Sequence, residues 1–292
     1  MHRTPGSSLL SVLFLAAAAW SPVAGAQEEA VLEEVTVTGS RASFSTAEDA
    51  PVPVSILTNE MLTNTGATEL GRAIQAAAPS FNFSSSSISD GTDALRPATL
   101  RGLGPDQTLV LINGKRRHTS ALVHVNTSVG RGTAGTDMNA IPISAVARVE
   151  VLRDGAAAPY GSDAIAGVIN IILKDSATDG IASLEYGETF DGDGETWVAN
   201  VNSGFALGSG GFANVTYQYR DRGATNRAGL DGTRQYPCTD GTSIDFSCST
   251  ITTLDPREAT FNRKSFRIGD ADNEQHALTV NAALEVVMGE LY

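Results

Sequence analysis

Residues 180–221 read GIASLEYGETFDGDGETWVANVNSGFALGSGGFANVTYQYRD, three extended segments separated by two glycine-rich breaks. In the first, Ala182, Leu184 and Tyr186 alternate with Ser183, Glu185 and Gly187. In the second, Trp197, Ala199, Val201 and Phe205 alternate with Val198, Asn200, Asn202 and Gly204. In the third, Ala213, Val215, Tyr217 and Tyr219 alternate with Asn214, Thr216, Gln218 and Arg220. A period of two makes each segment a strand with one apolar and one mostly polar face. Segments of about ten residues with aromatics near their ends suit barrel strands that turn the apolar face to lipid and the polar face to a wet lumen. A soluble meander with one buried face gives the same alternation, so the connections decide. The breaks at 191–194 and 208–211 are short, whereas 222–273 is long, polar and holds both cysteines. Residues 276–287 then resume alternation through Leu278, Val280, Ala282, Leu284 and Val286. Short turns at one end and long loops at the other are the organisation of an outer-membrane barrel, with the 208–211 turn periplasmic and the long loop outside.

Upstream, residues 50–176 read as one α+β domain of ordinary size. Pro53 to Leu57 is a short strand, Thr58 caps a short helix, and Glu69 to Ala78 is a second helix ended by Pro79. Thr108-Leu109-Val110-Leu111-Ile112 and Lys115-Arg116-Arg117-His118 flank Asn113-Gly114, the strongest short signal for a two-residue hairpin. Ala147, Val149 and Val151 alternate with Arg148 and Glu150, which predicts a strand with a polar face. Residues 167–173 form another strand, apolar except for Asn170. Two stretches, 82–97 and 119–137, read as long irregular loops, a length that points to function or to disorder. At and just before the second, His118 and His124 lie beside Arg116 and Arg117, so these four are candidates to face an anionic or metal-chelate ligand, or else a plain polar loop.

At the N-terminus, Met1-His2-Arg3, an apolar run over 9–20 and Ala24-Gly25-Ala26 read as a secretory signal peptide over 1–26. Export places Cys238 and Cys248 in an oxidising compartment, where one disulfide closing a small loop is expected. Residues 27–49 are acidic and without a periodic core, a mobile segment. Within it Glu33-Glu34-Val35-Thr36-Val37-Thr38-Gly39-Ser40-Arg41 is an isolated β-prone run, either disordered or able to add itself to a partner's sheet edge.

The whole chain has 292 residues and a formal net charge of −13, which argues against nucleic acid as a partner, because phosphates need clustered Lys and Arg. Asp191, Asp193 and Glu195 lack the glycine and distal glutamate of a calcium loop. No Ser/His/Asp or Cys/His arrangement stands out, so neither enzymatic activity nor a cofactor or metal is expected.

Three ordered blocks now carry a resemblance. Leu100-Arg101-Gly102-Leu103-Gly104-Pro105-Asp106, the hairpin ending Leu111-Ile112-Asn113-Gly114-Lys115-Arg116, and the block running from Ile141-Pro142 through Arg148-Val149-Glu150-Val151-Leu152-Arg153-Asp154-Gly155 and Tyr160-Gly161-Ser162-Asp163-Ala164-Ile165-Ala166-Gly167-Val168-Ile169-Asn170-Ile171 resemble the plug domain of TonB-dependent outer-membrane receptors. Glu34, Val35, Thr36, Val37 and Thr38 look like the TonB box that precedes it. The resemblance implies an α+β plug (50–176) followed by antiparallel strands of an incomplete outer-membrane β-barrel (177–292). It also implies active uptake of a scarce bulky solute such as a metal chelate, cobalamin, sugar or peptide, with TonB, ExbB and ExbD as energising partners and outer-membrane lipid around the barrel. Gly102, Gly104, Gly155, Gly161 and Gly167 mark sharp turns or close backbone approaches. Arg101, Arg148, Glu150 and Arg153 are either a charge network holding the plug to the barrel wall, which the resemblance favours, or solvated sheet charges. With about four strand candidates, where a barrel around a plug needs about 22, the chain is expected to be the N-terminal part of such a receptor. A plug-only binding or signalling module and an inactive truncated product are the alternatives.

Overall fold

In the computed structural model, which describes residues 54–86, 91–125, 128–153, 157–208, 210–263, 267–286 and 289–291, the Asn113-Gly114 pair makes a two-residue hairpin. Asn113 and Gly114 take φ of 48° and 75°, as a type I′ turn demands, and Ile112 pairs with Lys115 across it. The signal peptide, the Glu34–Thr38 positions and Gly155 lie outside the described residues.

In chain order the strands of the α+β domain are β1 (Val54–Thr58), β2 (Phe81–Phe83), β3 (Ala98–Leu100), β4 (Thr108–Ile112), β5 (Lys115–Arg116), β6 (Val146–Leu152) and β7 (Gly167–Leu173). Helices α1 (Asn59–Thr63) and α2 (Leu70–Ala77) follow β1. Thr58 caps α1, its hydroxyl accepting from the Met61 amide at 3.3 Å. The main sheet has the order β1-β6-β7-β4-β5, with β4 and β7 parallel and the other neighbours antiparallel. Both of its faces are covered. Leu62, Leu70, Ile74, Phe83, Val149 and Ile169 belong to the cluster on one side, and Leu109, Leu111, Val168 and Ala164 to that on the other. Burial on two faces is why β4 and β7 are continuous apolar runs.

Two expectations are corrected here. The stretch 82–97 is not irregular from its start: β2 takes in Asn82 and Phe83 and pairs with β3, strands of three residues being too short to carry a period. Glu150 does not lie on a solvated face but is 1% exposed. The alternation in β6 is genuine, and of the two readings open for its charges the solvated one does not hold for Glu150, which is bonded to Arg148 and Asn170. A bulge between Val146 and Arg148 further shifts the register.

The remaining chain forms β8 (Gly180–Gly187), β9 (Thr196–Leu207), β10 (Gly211–Arg222), β11 (Cys238–Thr239), β12 (Ile244–Asp245), β13 (Asn273–Val286) and β14 (Gly289–Leu291). The order β14-β13-β10-β9-β8 makes an open, antiparallel five-stranded wall. The long loop between β10 and β13 is internally organised by the β11–β12 pair, by a bond between Cys238 and Cys248 whose Cα atoms lie 5.2 Å apart, and by helix α3 (Pro256–Thr260) capped by Asp255. Among the described residues no helix is long and apolar enough to cross a membrane, which says nothing about strands.

The orientation of the wall decides between the two readings of its alternation. Leu184 and Leu278 are each 70% exposed, and Trp197, Val201, Phe205, Tyr217 and Val280 are exposed with them. On the opposite face Asn200, Asn202, Asn214, Thr216, Gln218 and Arg220 are buried, Thr216 to 1%. A soluble meander would have done the reverse. The polar face is dry because the α+β domain packs on it, and its groups are satisfied in place. Asn202 Nδ2 donates to Thr216 Oγ1 at 2.7 Å, Gln218 Nε2 to Asn200 Oδ1 at 2.8 Å, and Ser144 Oγ of the domain to the same oxygen at 3.1 Å.

Candidate functional site at the seam between domain and wall

Two sets of side chains join the domain to the wall. Toward the short-turn end, Asn113 Nδ2 donates to Asn281 Oδ1 at 3.0 Å, while Asn113 Oδ1 accepts from the Leu173 amide at 2.9 Å. Asn281 Nδ2 in turn donates to the Lys174 carbonyl at 2.9 Å. The hairpin is fixed from below by Asn170, whose Oδ1 accepts from the Gly114 amide at 3.0 Å and whose Nδ2 donates to Glu150 Oε2 at 3.3 Å. The single polar residue of β7 is thus the pin that joins hairpin, β6 and β7.

Toward the long-loop end lies an ionic cluster that sequence reasoning missed. Glu69 stands at the N-cap position of α2 without capping it, because its carboxylate is turned to three guanidiniums: Arg96 at 3.3 Å, Arg222 at 3.4 Å and Arg220 at 3.7 Å. Asp270 of the long loop lies 3.0 Å from Arg96 and 3.8 Å from Arg222, and Asp93 lies 3.9 Å from Arg222. The side chains of Glu69, Arg96 and Arg220 are all under a tenth exposed. The only sequence signal for this cluster was Arg220, a charge at the position of the polar period that faces inward. Its partners are separated from it by up to 151 residues and carry no local mark.

The sequence candidates sit elsewhere. Arg101, at φ 57°, donates through Nη1 to the Arg153 carbonyl, and Arg153 Nη2 donates to Ser55 Oγ. Arg148 Nε donates to Glu150 Oε1 at 2.9 Å. These contacts lie within the domain, whereas the ion pairs at the seam are those of Glu69, Arg96, Arg220, Arg222, Asp93 and Asp270. Gly102 and Gly161 have positive φ, as has Gly167, whereas Gly104 does not. Arg116 pairs with Asp163 and donates to the Tyr160 carbonyl, near the short-turn end of the wall rather than beneath the long loop. His118 is exposed, whereas His124 is buried. Among the described residues no hydrogen bond or ion pair joins Arg116, Arg117, His118 and His124 to one another.

His124 is buried with neither ring nitrogen bonded, and burial lowers its pKa. A histidine held neutral in this way stabilises its loop fully above the unfolded pKa of about 6.5, and progressively less as pH falls below it. Amide exchange within residues 118–137, corrected for intrinsic rates, is therefore expected to accelerate between pH 7 and pH 5 in the native protein. In His124→Phe it is expected to stay flat, and equal acceleration in both would refute the assignment.

An open groove of about 300 Å³ lies against the seam, with Gly66, Thr68 and Arg72 on one side and Glu188, Thr189 and Thr196 on the other. At the outer edge of the wall, Arg227 ties the loops together. It lies 3.1 Å from Asp191 and 2.7 Å from Asp193, and holds the Asp193 carboxyl well below the usual range. Among the described residues no group of His, Cys, Asp and Glu is arranged to hold a metal ion.

Comparison with known proteins adds the following. Residues 46–168 match the TonB-dependent Receptor Plug Domain family. Over 153 residues (52% of this chain, 20% of the relative) the sequence is 33% identical to the probable TonB-dependent siderophore receptor PirA of Acinetobacter baumannii. It is 36% identical over 125 residues (43% of this chain, 16% of the relative) to the ferrienterobactin receptor of Escherichia coli K12. It is 34% identical over 132 residues (43% and 18%) to the vitamin B12 transporter BtuB of Vibrio cholerae. The crystal structure of the Pseudomonas aeruginosa ferric enterobactin receptor mutant Q482A in complex with enterobactin superposes with a TM-score of 0.50 at 27% identity, covering 61% of this chain and 26% of that one. The chain spans about a fifth or less of the length of these curated relatives.

Proposed function

We propose, from the premise that this chain carries the plug domain of the TonB-dependent receptors followed by the opening strands of a barrel wall, that it serves active uptake of a scarce, bulky metal chelate across a Gram-negative outer membrane. The observation that carries this reading is the inverted wall: apolar side chains outward, polar side chains buried against the plug. A contiguous exposed apolar face of that extent is rare on a soluble protein, and lipid is the surrounding that covers it. Tyr186 and Trp197, with ring centroids 4.7 Å apart, and Tyr217, Tyr219 and His276 gather near the loop end, and Phe205 near the turn end. From Trp197 to Phe205 is about 26 Å along the strand, or about 20 Å of height at a barrel tilt of 40°, within the apolar band that aromatic girdles bracket.

A plug seated on the wall by buried ion pairs does not leave by itself, and the outer membrane has no nucleotide supply. In this reading TonB, energised by ExbB and ExbD, pairs with Val35, Thr36 and Val37 by strand addition and pulls from the periplasm. The relatives named as receptors for siderophores and as a vitamin B12 transporter support a metal chelate as the cargo. Proline at position 37 removes a backbone donor from the added strand. In cells expressing the receptor, Val37→Pro is expected to abolish energy-dependent uptake while leaving binding of chelate at the surface intact, as transport and binding assays with a radiolabelled ferric chelate can read. Undiminished uptake would sink the proposal.

A further inference from the structure

We infer that Asp270 latches the long loop to the plug, so that the two open together rather than independently. Asp270 and its neighbour Ala271 tie the loop (223–272) to the plug through three hydrogen bonds and an ion pair. Asp270 Oδ1 accepts from Ser85 Oγ at 2.8 Å and Oδ2 from Arg96 Nη2 at 3.0 Å, and the Ala271 amide donates to Asp93 Oδ2 at 2.8 Å. On its other side the same residue is built into the loop's base. Its amide donates to Thr225 Oγ1 at 2.9 Å and its carbonyl accepts from the Thr225 amide at 3.0 Å. Two residues on, Arg227 donates its amide to the Ile268 carbonyl at 2.6 Å and clasps Asp191 and Asp193 of the β8–β9 connection.

The loop's outer part, by contrast, is closed on itself. Asp245 accepts from the amides of Ser247, Thr250 and Ile251, and Cys238 is bonded to Cys248. A perturbation at the loop tip therefore has a polar route to the plug through a carboxylate whose partners on the plug side are a buried arginine and a serine. Coupling of this kind needs a physical element that both segments bias, and Asp270 supplies it. The readout below is amide exchange and not transport, so its failure leaves the uptake reading standing, and the reverse.

The test is hydrogen exchange by mass spectrometry on the full chain. Asp270→Asn is expected to raise exchange at least tenfold in residues 91–96 of the plug and in residues 225–230 of the loop alike. Asp245→Asn, at the tip, is expected to raise it only around 245–251. Acceleration by Asp270→Asn confined to one of its two segments overturns the latch. Should that variant fail to fold, Ser85→Ala removes one hydrogen bond and keeps the carboxylate. It is expected to give a smaller rise, about threefold, in both segments, and a rise in one segment or in neither overturns the inference.

Discussion

Gly167→Ala is expected to destabilise the plug by about 3–5 kcal/mol, a large fraction of the about 5–15 kcal/mol that holds a domain folded. The residue begins β7 at φ 139°, a conformation that side-chain-bearing residues avoid. A Cβ there would sit 2.2 Å from the Leu152 carbonyl oxygen and 2.6 Å from Leu100 Cδ2. Backbone strain of about 1–3 kcal/mol adds to overpacking of about 1–3 kcal/mol. The Leu152 carbonyl cannot move aside cheaply, because Leu152 is paired with Val168 at the end of the β6–β7 ladder. Urea unfolding followed by protease susceptibility of the plug gives the change in midpoint. A loss below about 1 kcal/mol would mean that β6 gives way and that the close approach is not a constraint.

Glu69→Gln is expected to cost about 3–5 kcal/mol, because breaking a buried ion pair strands the remaining charges without a counter-ion. Here three guanidiniums share the lost anion: Arg96, Arg222 and Arg220. Asp270 and Asp93 stay within reach of Arg96 and Arg222, so Arg220 is the group left worst off. Among the described residues Arg220 retains the hydrogen bond from its Nη2 to Gln275 Oε1 at 2.5 Å and the weaker attraction of Asp137. The effect is therefore expected at the seam: faster exchange in α2 and in the loop end of β10, with the Asn113 contact at the other end of the wall unchanged. Glu69→Asp, which keeps the charge on a shorter stem, is expected to lose less. A Glu69→Gln loss under about 1 kcal/mol, the size of a solvent-exposed pair, would show that water reaches this cluster.

The elements that were legible in the sequence are those whose signal is local. Asn113-Gly114 announces its hairpin because few residues adopt two successive positive φ values, and Thr58 announces its helix because its hydroxyl reaches an amide three residues on. The four long wall strands were legible because alternation repeats over eight or more residues. β2 and β3, at three residues each, had no period to show. For the site, Asn170 stood out as the one polar residue in an apolar strand, but nothing local said that it bonds the Gly114 amide 56 residues away. Arg101, Arg148, Glu150 and Arg153 were visible as a motif, but nothing local said that Arg101 bonds the Arg153 carbonyl, that Arg153 bonds Ser55 or that Arg148 bonds Glu150.

The sequence by itself determined which residues share a face of each wall strand, since successive side chains point to opposite sides of the backbone. It could not determine which face would be dry, because alternation is the same whether the apolar or the polar side is buried. That was decided by tertiary packing. The plug offers Ser144, Glu69 and the Asn139 and Ser176 carbonyls to the polar face, so Asn200, Gln218 and Arg220 lose water without losing partners. Leu184, Val201 and Leu278 are left on the outside. The same rule governs Glu150 and the seam. Whether a charge is solvated or buried depends on what lies across from it in space, and the groups across from Glu69 and Asp270 come from parts of the chain that the local pattern never compares.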